Sequence, residues 1–314
     1  MSYYSGSANS FADLRTALFN ACTANGWTLS TDVLTKGTLA IKLTINAVST
    51  AVSGIGLILQ GGVSATGSTL NTPSPNTARL GPPSTTVHQP TFPMSYEIFL
   101  FTNPDEVYLV AKTNVDNHLW LAFGKSTYPG IGLWLSGIAN TAQGGAAGSI
   151  AVDINGGNAG GSLNSTGCLF WQPAQYTTGN PYYNQDTVHV DIDGIIWAGN
   201  PASAVSKVVG SVTALPGITE MLTVQPNAWN GEAVLMRIRP MLYRASNKNS
   251  IVADLRNARY IRVDNYEPGQ IISLGSDNWK VFPFYRKNTT ARDGGGSVDH
   301  TGTFGWAIRY DGPM

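Results

Sequence analysis

The sequence predicts a mainly β protein: antiparallel sheets of sandwich-like or barrel-like form, with one short α-helix near the N-terminus. Three observations predict it. Glycine (35) and proline (17) make up about one in six of the 314 residues, which suits many turns and short strands. Apolar and polar residues alternate over short runs, the period of a half-buried strand. One stretch, and one alone, carries its apolar residues at clear helical spacing.

That stretch is 11–24. Ser10 is a good N-cap, and Asp13 three residues on makes a capping-box variant. Phe11, Leu14, Ala17, Leu18, Ala21 and Cys22 line one face. Asn25-Gly26 closes the helix, since Gly26 can take the left-handed conformation after a helix end. Strands follow at 27–29 and 33–35 around a Thr-Asp turn, at 39–45, where Leu39, Ile41, Leu43 and Ile45 alternate with polar residues, and at 56–60. Residues 61–89, rich in Ser, Thr, Asn and Pro, are expected to form a long loop. Segments 94–101 and 107–113 form a hairpin through Asn103-Pro104-Asp105. With 119–123 they make an aromatic meander of the kind that favours pleated surfaces.

Composition shifts at Gly124. Residues 128–180 are rich in Gly and Ala and read as loops with short strands at 149–154 and 168–172. A hairpin is expected around Asp193-Gly194, a strong two-residue turn signal. Further strands are expected at 205–209 and 218–224. Segments 233–243, 250–255, 260–263, 271–274, 279–285 and 304–310 then follow at short, regular spacing. The expected organisation is an N-terminal β-domain over 1–125, a Gly-rich elaboration over 126–232 that contacts neighbouring chains, and a basic C-terminal β-domain over 233–314.

Charged residues are only 12% of the chain, whereas Ser, Thr and Asn number 79. Neutral polar groups therefore wet most of the surface. The formal net charge is zero, which disfavours a non-specific nucleic-acid binder. The balance is uneven. Residues 1–235 carry 7 basic and 12 acidic side chains, a net of −5; residues 236–314 carry 12 and 7, a net of +5. Such a chain can meet its own copies or an acidic partner, or its two parts can neutralise each other within one fold. Two cysteines, Cys22 and Cys168, are too few for a disulfide scaffold, and Cys22 is expected to be a free, buried thiol. The opening residues do not read as a secretory signal, and no run of about 18 apolar residues predicts a membrane span.

Few residues group as chemistry requires. His189, Asp191 and Asp193 share one face of an ideal strand, but as a calcium loop the spacing fails, with Asn200 where a bidentate Glu is needed. A solvated strand face is the simpler reading. Asp105-Glu106 beside a turn reads as surface charge. No nucleophile elbow, phosphate loop or zinc helix is present, so no catalytic, cofactor-binding or metal-ligating residue is assigned. Arg237, Arg239, Arg244, Arg256, Arg259 and Arg262, with Tyr243 and Tyr260 interleaved, form a basic cluster. Arginine pairs bidentately and stacks at protein interfaces, so the first five are assigned to an interface rather than to nucleic acid. Alternation sends Met236 and Ile238 inward and Arg237 and Arg239 outward. There they are expected to meet carboxylates such as Asp105, Glu106 and Asp116 of another copy, or an acidic partner; pairing within the fold is the alternative. Trp279, Phe282, Phe284 and Tyr285 are expected in the core.

Several runs resemble structural proteins of tailed-bacteriophage particles. They are Phe92-Pro-Met-Ser-Tyr96 leading into Asn103-Pro-Asp-Glu-Val-Tyr108, Asn117-His-Leu-Trp-Leu-Ala-Phe-Gly124, and at the C-terminal end Arg259-Tyr-Ile-Arg262 and Gly275-Ser-Asp-Asn-Trp-Lys-Val-Phe-Pro283. The opening Ser7–Leu14 and Cys22–Trp27 are similar to the same group. The resemblance covers about half the chain, at both ends. It implies a virion component of the tail tip or baseplate, made in the host cytoplasm and assembled with its own copies and other tail proteins, with no catalytic residues. Rival readings are a receptor- or carbohydrate-binding tail-fibre module with exposed Trp171, Tyr176, Tyr182 and Tyr183, a head–tail connector or decoration protein, and a polysaccharide hydrolase. The last needs two carboxylates facing each other at roughly 5–9.5 Å, which nothing in the sequence pairs.

Overall fold

Ser10 caps the helix as its sequence requires. In the computed structural model its Oγ accepts the Asp13 N–H at 3.0 Å, and Asp13 Oδ2 accepts the Asn9 N–H at 3.0 Å. Helix α1 runs Phe11–Thr23, and Gly26 follows it at φ +82°. The structure describes residues 1–46, 55–75, 77–81, 89–128, 130, 132–140, 169–170, 186–199, 208–209, 234–244, 246, 248–263, 265–287 and 304–312.

Strand β1 (Ser2–Ala8) precedes the helix. After it come β2 (Thr28–Ser30), β3 (Val33–Lys36), β4 (Leu39–Asn46) and β5 (Gly56–Gly62). The described part of the expected long loop contains three strands: β6 (Ser64–Thr66) and β7 (Thr69–Asn71) form a small hairpin, and β8 (Ala78–Leu80) joins a larger sheet. Gly67 supplies the positive φ of that hairpin turn. Polar composition hid these strands, because their hydrogen bonds come from backbone and only Leu70, Ala78 and Leu80 give an inward pattern.

The meander is β9 (Met94–Thr102), β10 (Asp105–Thr113) and β11 (Asn117–Lys125). Next are β12 (Leu133–Gly137), β13 (Ala139–Asn140), β14 (Thr187–Ile192), β15 (Ile195–Gly199) and β16 (Val208–Val209). The C-terminal part holds β17 (Met236–Ile238), β18 (Met241–Arg244), β19 (Lys248–Ile251), β20 (Leu255–Arg262), β21 (Ile271–Leu274), β22 (Asp277–Pro283) and β23 (Phe304–Arg309). The strands expected at 149–154, 168–172 and 218–224 fall wholly or mainly outside the described residues. All described pairings are antiparallel and the sheets are open. The fold is therefore sandwich-like rather than a closed barrel.

The central layer is a seven-stranded sheet in the order β1-β9-β10-β11-β12-β14-β15. Register sorts its two faces. Tyr3 lies opposite Phe99, Phe99 opposite Tyr108, and Gly124 opposite Trp134, so Tyr3, Phe99, Tyr108, Trp120 and Trp134 stand on one face. This aromatic face packs on the five-stranded sheet β17-β20-β23-β22-β21. Ring centroids of Tyr108 and Trp306 are 5.7 Å apart, those of Trp120 and Trp306 5.2 Å, and those of Phe99 and Phe282 6.1 Å. Trp120 Nε1 donates to the Phe284 carbonyl at 2.9 Å, which satisfies its buried N–H. Trp279, Phe282, Phe284 and Tyr285 are all buried, as expected of core aromatics.

The opposite face carries Ile98, Leu100, Leu109, Leu121, Phe123 and Leu135, all buried. It meets α1 and the six-stranded sheet β13-β8-β5-β4-β3-β2, with Trp27 edge-on to Phe123 at 5.6 Å. Strands β10 and β11 are thus covered on both sides, which is why they read as near-continuous apolar runs. Cys22 is buried and free on the inner side of the helix. One continuous apolar cluster runs from Ala8 to Tyr310, so residues on either side of the 125 and 233 boundaries share a core. Strands β12, β14 and β15, from the expected elaboration, extend the central sheet.

Candidate functional site

The site grows out of an irregularity in β20. Strand β17 pairs with it through Met236–Tyr260 and Arg237–Arg259, and then Ile238 meets Leu255. Residues 256–258 bulge out of that ladder, and a bulge leaves backbone groups that need other partners.

The donors go to Glu106 on β10. Its Oε1 accepts the Arg256 N–H at 2.8 Å. Its Oε2 accepts the Asn257 N–H at 3.0 Å, the Asn257 side-chain amide at 2.8 Å and the Tyr108 hydroxyl at 3.0 Å. Glu106 is fully buried. This corrects the expectation of surface charge. Glu106 shares the inner aromatic face with Tyr108, and a carboxylate buried there is tolerated because four donors meet it. Burial pushes its pKa up, and the four hydrogen bonds pull part of that shift back.

The acceptors go to Arg259. Its Nη1 lies 3.1, 2.8 and 2.7 Å from the carbonyls of Leu255, Arg256 and Ala258. Its guanidinium sits 4.9 Å from the centre of the Trp279 ring. The bulge is held by a carboxylate from one layer and a guanidinium from its own strand.

Outside this bulge lies a cleft of about 350 Å³ lined by Asn103, Arg237, Asp254, Arg256, Asn257, Arg259, Asp277, Trp279 and Arg309. Four arginines face two aspartates. Asp254 pairs with Arg237 at 3.3 Å and also with Arg239 at 3.4 Å, while Asp277 pairs with Arg309 at 3.5 Å. Three of the five sequence-assigned arginines, Arg237, Arg256 and Arg259, therefore come together. Arg239 does not line the cleft, and Arg244 pairs with Asp193 at the β14–β15 turn at 2.6 Å. Met236 and Ile238 are half-buried and buried, and Arg237 is exposed, as alternation requires.

Two of the three carboxylates expected to meet these arginines from outside are engaged elsewhere. Glu106 is buried, and Asp105 pairs with Lys36 at 2.7 Å. Sequence reading missed Arg309, Asp254, Asp277 and Asn257 as lining residues. Strand register holds the signal for one of them, since Arg309 lies directly opposite Trp279.

His189, Asp191 and Asp193 do not keep the ideal strand face. The β14–β15 ladder is irregular between His189 and Ile192, and Asp191 has φ +46°. His189 packs on Trp197 at 5.2 Å. Among the described residues, no three His, Cys, Asp or Glu side chains group as a cation site. Cys168, Trp171, Tyr176, Tyr182, Tyr183 and Asn200 lie outside the described residues. Among the described residues no helix is long and apolar enough to cross a membrane. No family model matches this chain, and no curated protein shows significant similarity to it.

Proposed function

We propose that the chain is a non-enzymatic structural subunit of a tailed-phage virion, a tail or baseplate component built in with its own copies and other tail proteins. The observation that carries this reading is the character of the cleft. Both of its carboxylates are tied to arginines, whereas glycosidase chemistry needs a poised carboxylate pair across a groove. The arginines themselves lie on the outer face of an outer sheet, with Arg237 56% and Arg309 41% exposed. Arginine in that setting suits protein contact. The sequence resemblance at both ends of the chain supports the same class.

Three layers sharing one apolar core also suit a subunit that must stay rigid under load. The test is mass spectrometry of particles purified from the cells that make the protein. The chain in fixed stoichiometry with tail proteins supports the reading. Its absence from particles, while it accumulates in the soluble lysate, overturns it.

A further inference from the structure

We infer that the cleft is a preformed seat for a carboxylate or similar oxyanion, with Arg256 as the contact residue and Arg259 held ready beside it. The inference does not depend on the virion reading; it rests on the wiring of the cleft.

Arg237 and Arg259 lie directly opposite each other on neighbouring strands. Like charges so placed repel, and the outer face keeps both. Two lining aspartates offset two of the four arginines and leave a net of +2. Asp254 is shared between Arg237 and Arg239, the second of which is outside the cleft. Asp277 shares Arg309 with Asp311.

Arg256 differs from the rest. Its backbone N–H is fixed by Glu106, while its exposed guanidinium has no partner among the described residues. Arg259 is fixed by three carbonyls through Nη1 and by the Trp279 ring beneath it. Its remaining N–H groups are oriented without needing a ligand to order them. A guanidinium ordered in advance loses little entropy on binding an oxyanion. The exposed Asn103 adds a neutral polar group to the lining, while the Asn257 amide is committed to Glu106 beneath it. Such an anion has two possible sources, an acidic side chain on a neighbouring protein or a free ion such as phosphate, and the chemistry is shared.

The test is thermal unfolding of the full chain in sodium sulfate and in sodium chloride at matched ionic strength, with Arg256→Ser and Arg256→Lys alongside. Sulfate raises the melting temperature of many proteins without binding, so the readout is the difference between wild type and variant. Wild type is expected to gain about 2 °C over Arg256→Ser, saturating with sulfate concentration, while their melting temperatures in chloride agree. Lysine at 256 is expected to retain part of the gain. A tetraglutamate peptide titrated by calorimetry separates the sources. Binding at least tenfold tighter than sulfate indicates a protein-borne carboxylate, and equal or weaker binding indicates a free ion; either supports the seat. Equal responses of wild type and Arg256→Ser at every sulfate concentration, with no heat from the peptide, overturn it.

Discussion

Asp105 and Glu106 are neighbours in the chain and are bound to opposite layers. They open β10, where successive side chains point to opposite faces. Asp105 reaches Lys36 on β3 at 2.7 Å, in the layer that carries the helix. Glu106 reaches Arg256 and Asn257 on β20, in the C-terminal layer. One dipeptide at the end of the meander therefore ties the central sheet to both of its coverings.

The two ties differ in depth, so they are expected to differ in worth. Removing Glu106 leaves two backbone N–H groups, an amide and a hydroxyl buried without their acceptor. Glu106→Ala is expected to destabilise the fold by about 3 kcal/mol. Asp105→Ala breaks a pair that is about one-fifth exposed on each side and is expected to cost about 1 kcal/mol or less. Urea unfolding of both variants checks the order; equal losses would show that the Glu106 contacts are not what holds β20 to the central sheet.

His118 gives the fold an acid-sensitive element. It is buried beside Phe282, and burial, helped by the Lys112 charge, pushes its pKa down to about 4. The unfolded chain takes up this proton near pH 6.5 and the folded chain does not until about pH 4. The stability His118 contributes is therefore present above pH 6.5 and falls away by about 3 kcal/mol toward pH 4. Glu106 acts with the opposite sign: its raised pKa lets the folded chain take its proton first, so acidification favours the fold through that group. Measuring unfolding from pH 7 to 4 in Glu106→Gln and in Glu106→Gln with His118→Asn isolates the histidine. The double variant is expected to lose less stability on acidification than the single one.

Gly305 is expected to tolerate no side chain. It lies opposite Pro283 in the β22–β23 ladder and opposite Ile261 in the β20–β23 ladder. A Cβ there would strike the Phe282 carbonyl oxygen and sit 2.8 Å from Val263 Cγ1 and 2.9 Å from Pro283 Cα. Two of these are backbone atoms of β22, held in its ladder with β23, and cannot move aside cheaply. Gly305→Ala is expected to cost about 3 kcal/mol, the upper end for overpacking, read as a lowered thermal midpoint. Gly67→Ala meets no neighbouring atom and is expected to lose only the smaller penalty of its positive φ.

What the sequence made legible is what periodicity and punctuation encode. The helix, its Ser10 cap, the Asn103–Asp105 hairpin and the Asp193-Gly194 turn all depend on neighbours within a few residues. The strands β1 and β6–β8 were not legible, because Ser, Thr and Gly runs give no inward face until another sheet is placed beside them. Glu106 was half legible. Alternation puts it on the face of Tyr108 and Val110, yet nothing local says that this face is covered by a second sheet. Its donors lie 150 and 151 positions away. The cleft gathers residues from 103 to 309, so only its arginine-rich part, 237–259, stood out as a cluster.

Sedimentation velocity at micromolar concentration tests assembly most directly, run on wild type and on Arg237→Ser/Arg256→Ser at low and high salt. A subunit built into a particle in several copies is expected to form species at integer multiples of 33.3 kDa. The double variant is expected to assemble less well, and the difference is expected to shrink as salt screens the charges. A single 33.3 kDa species at every concentration and salt, for wild type and variant alike, would contradict it.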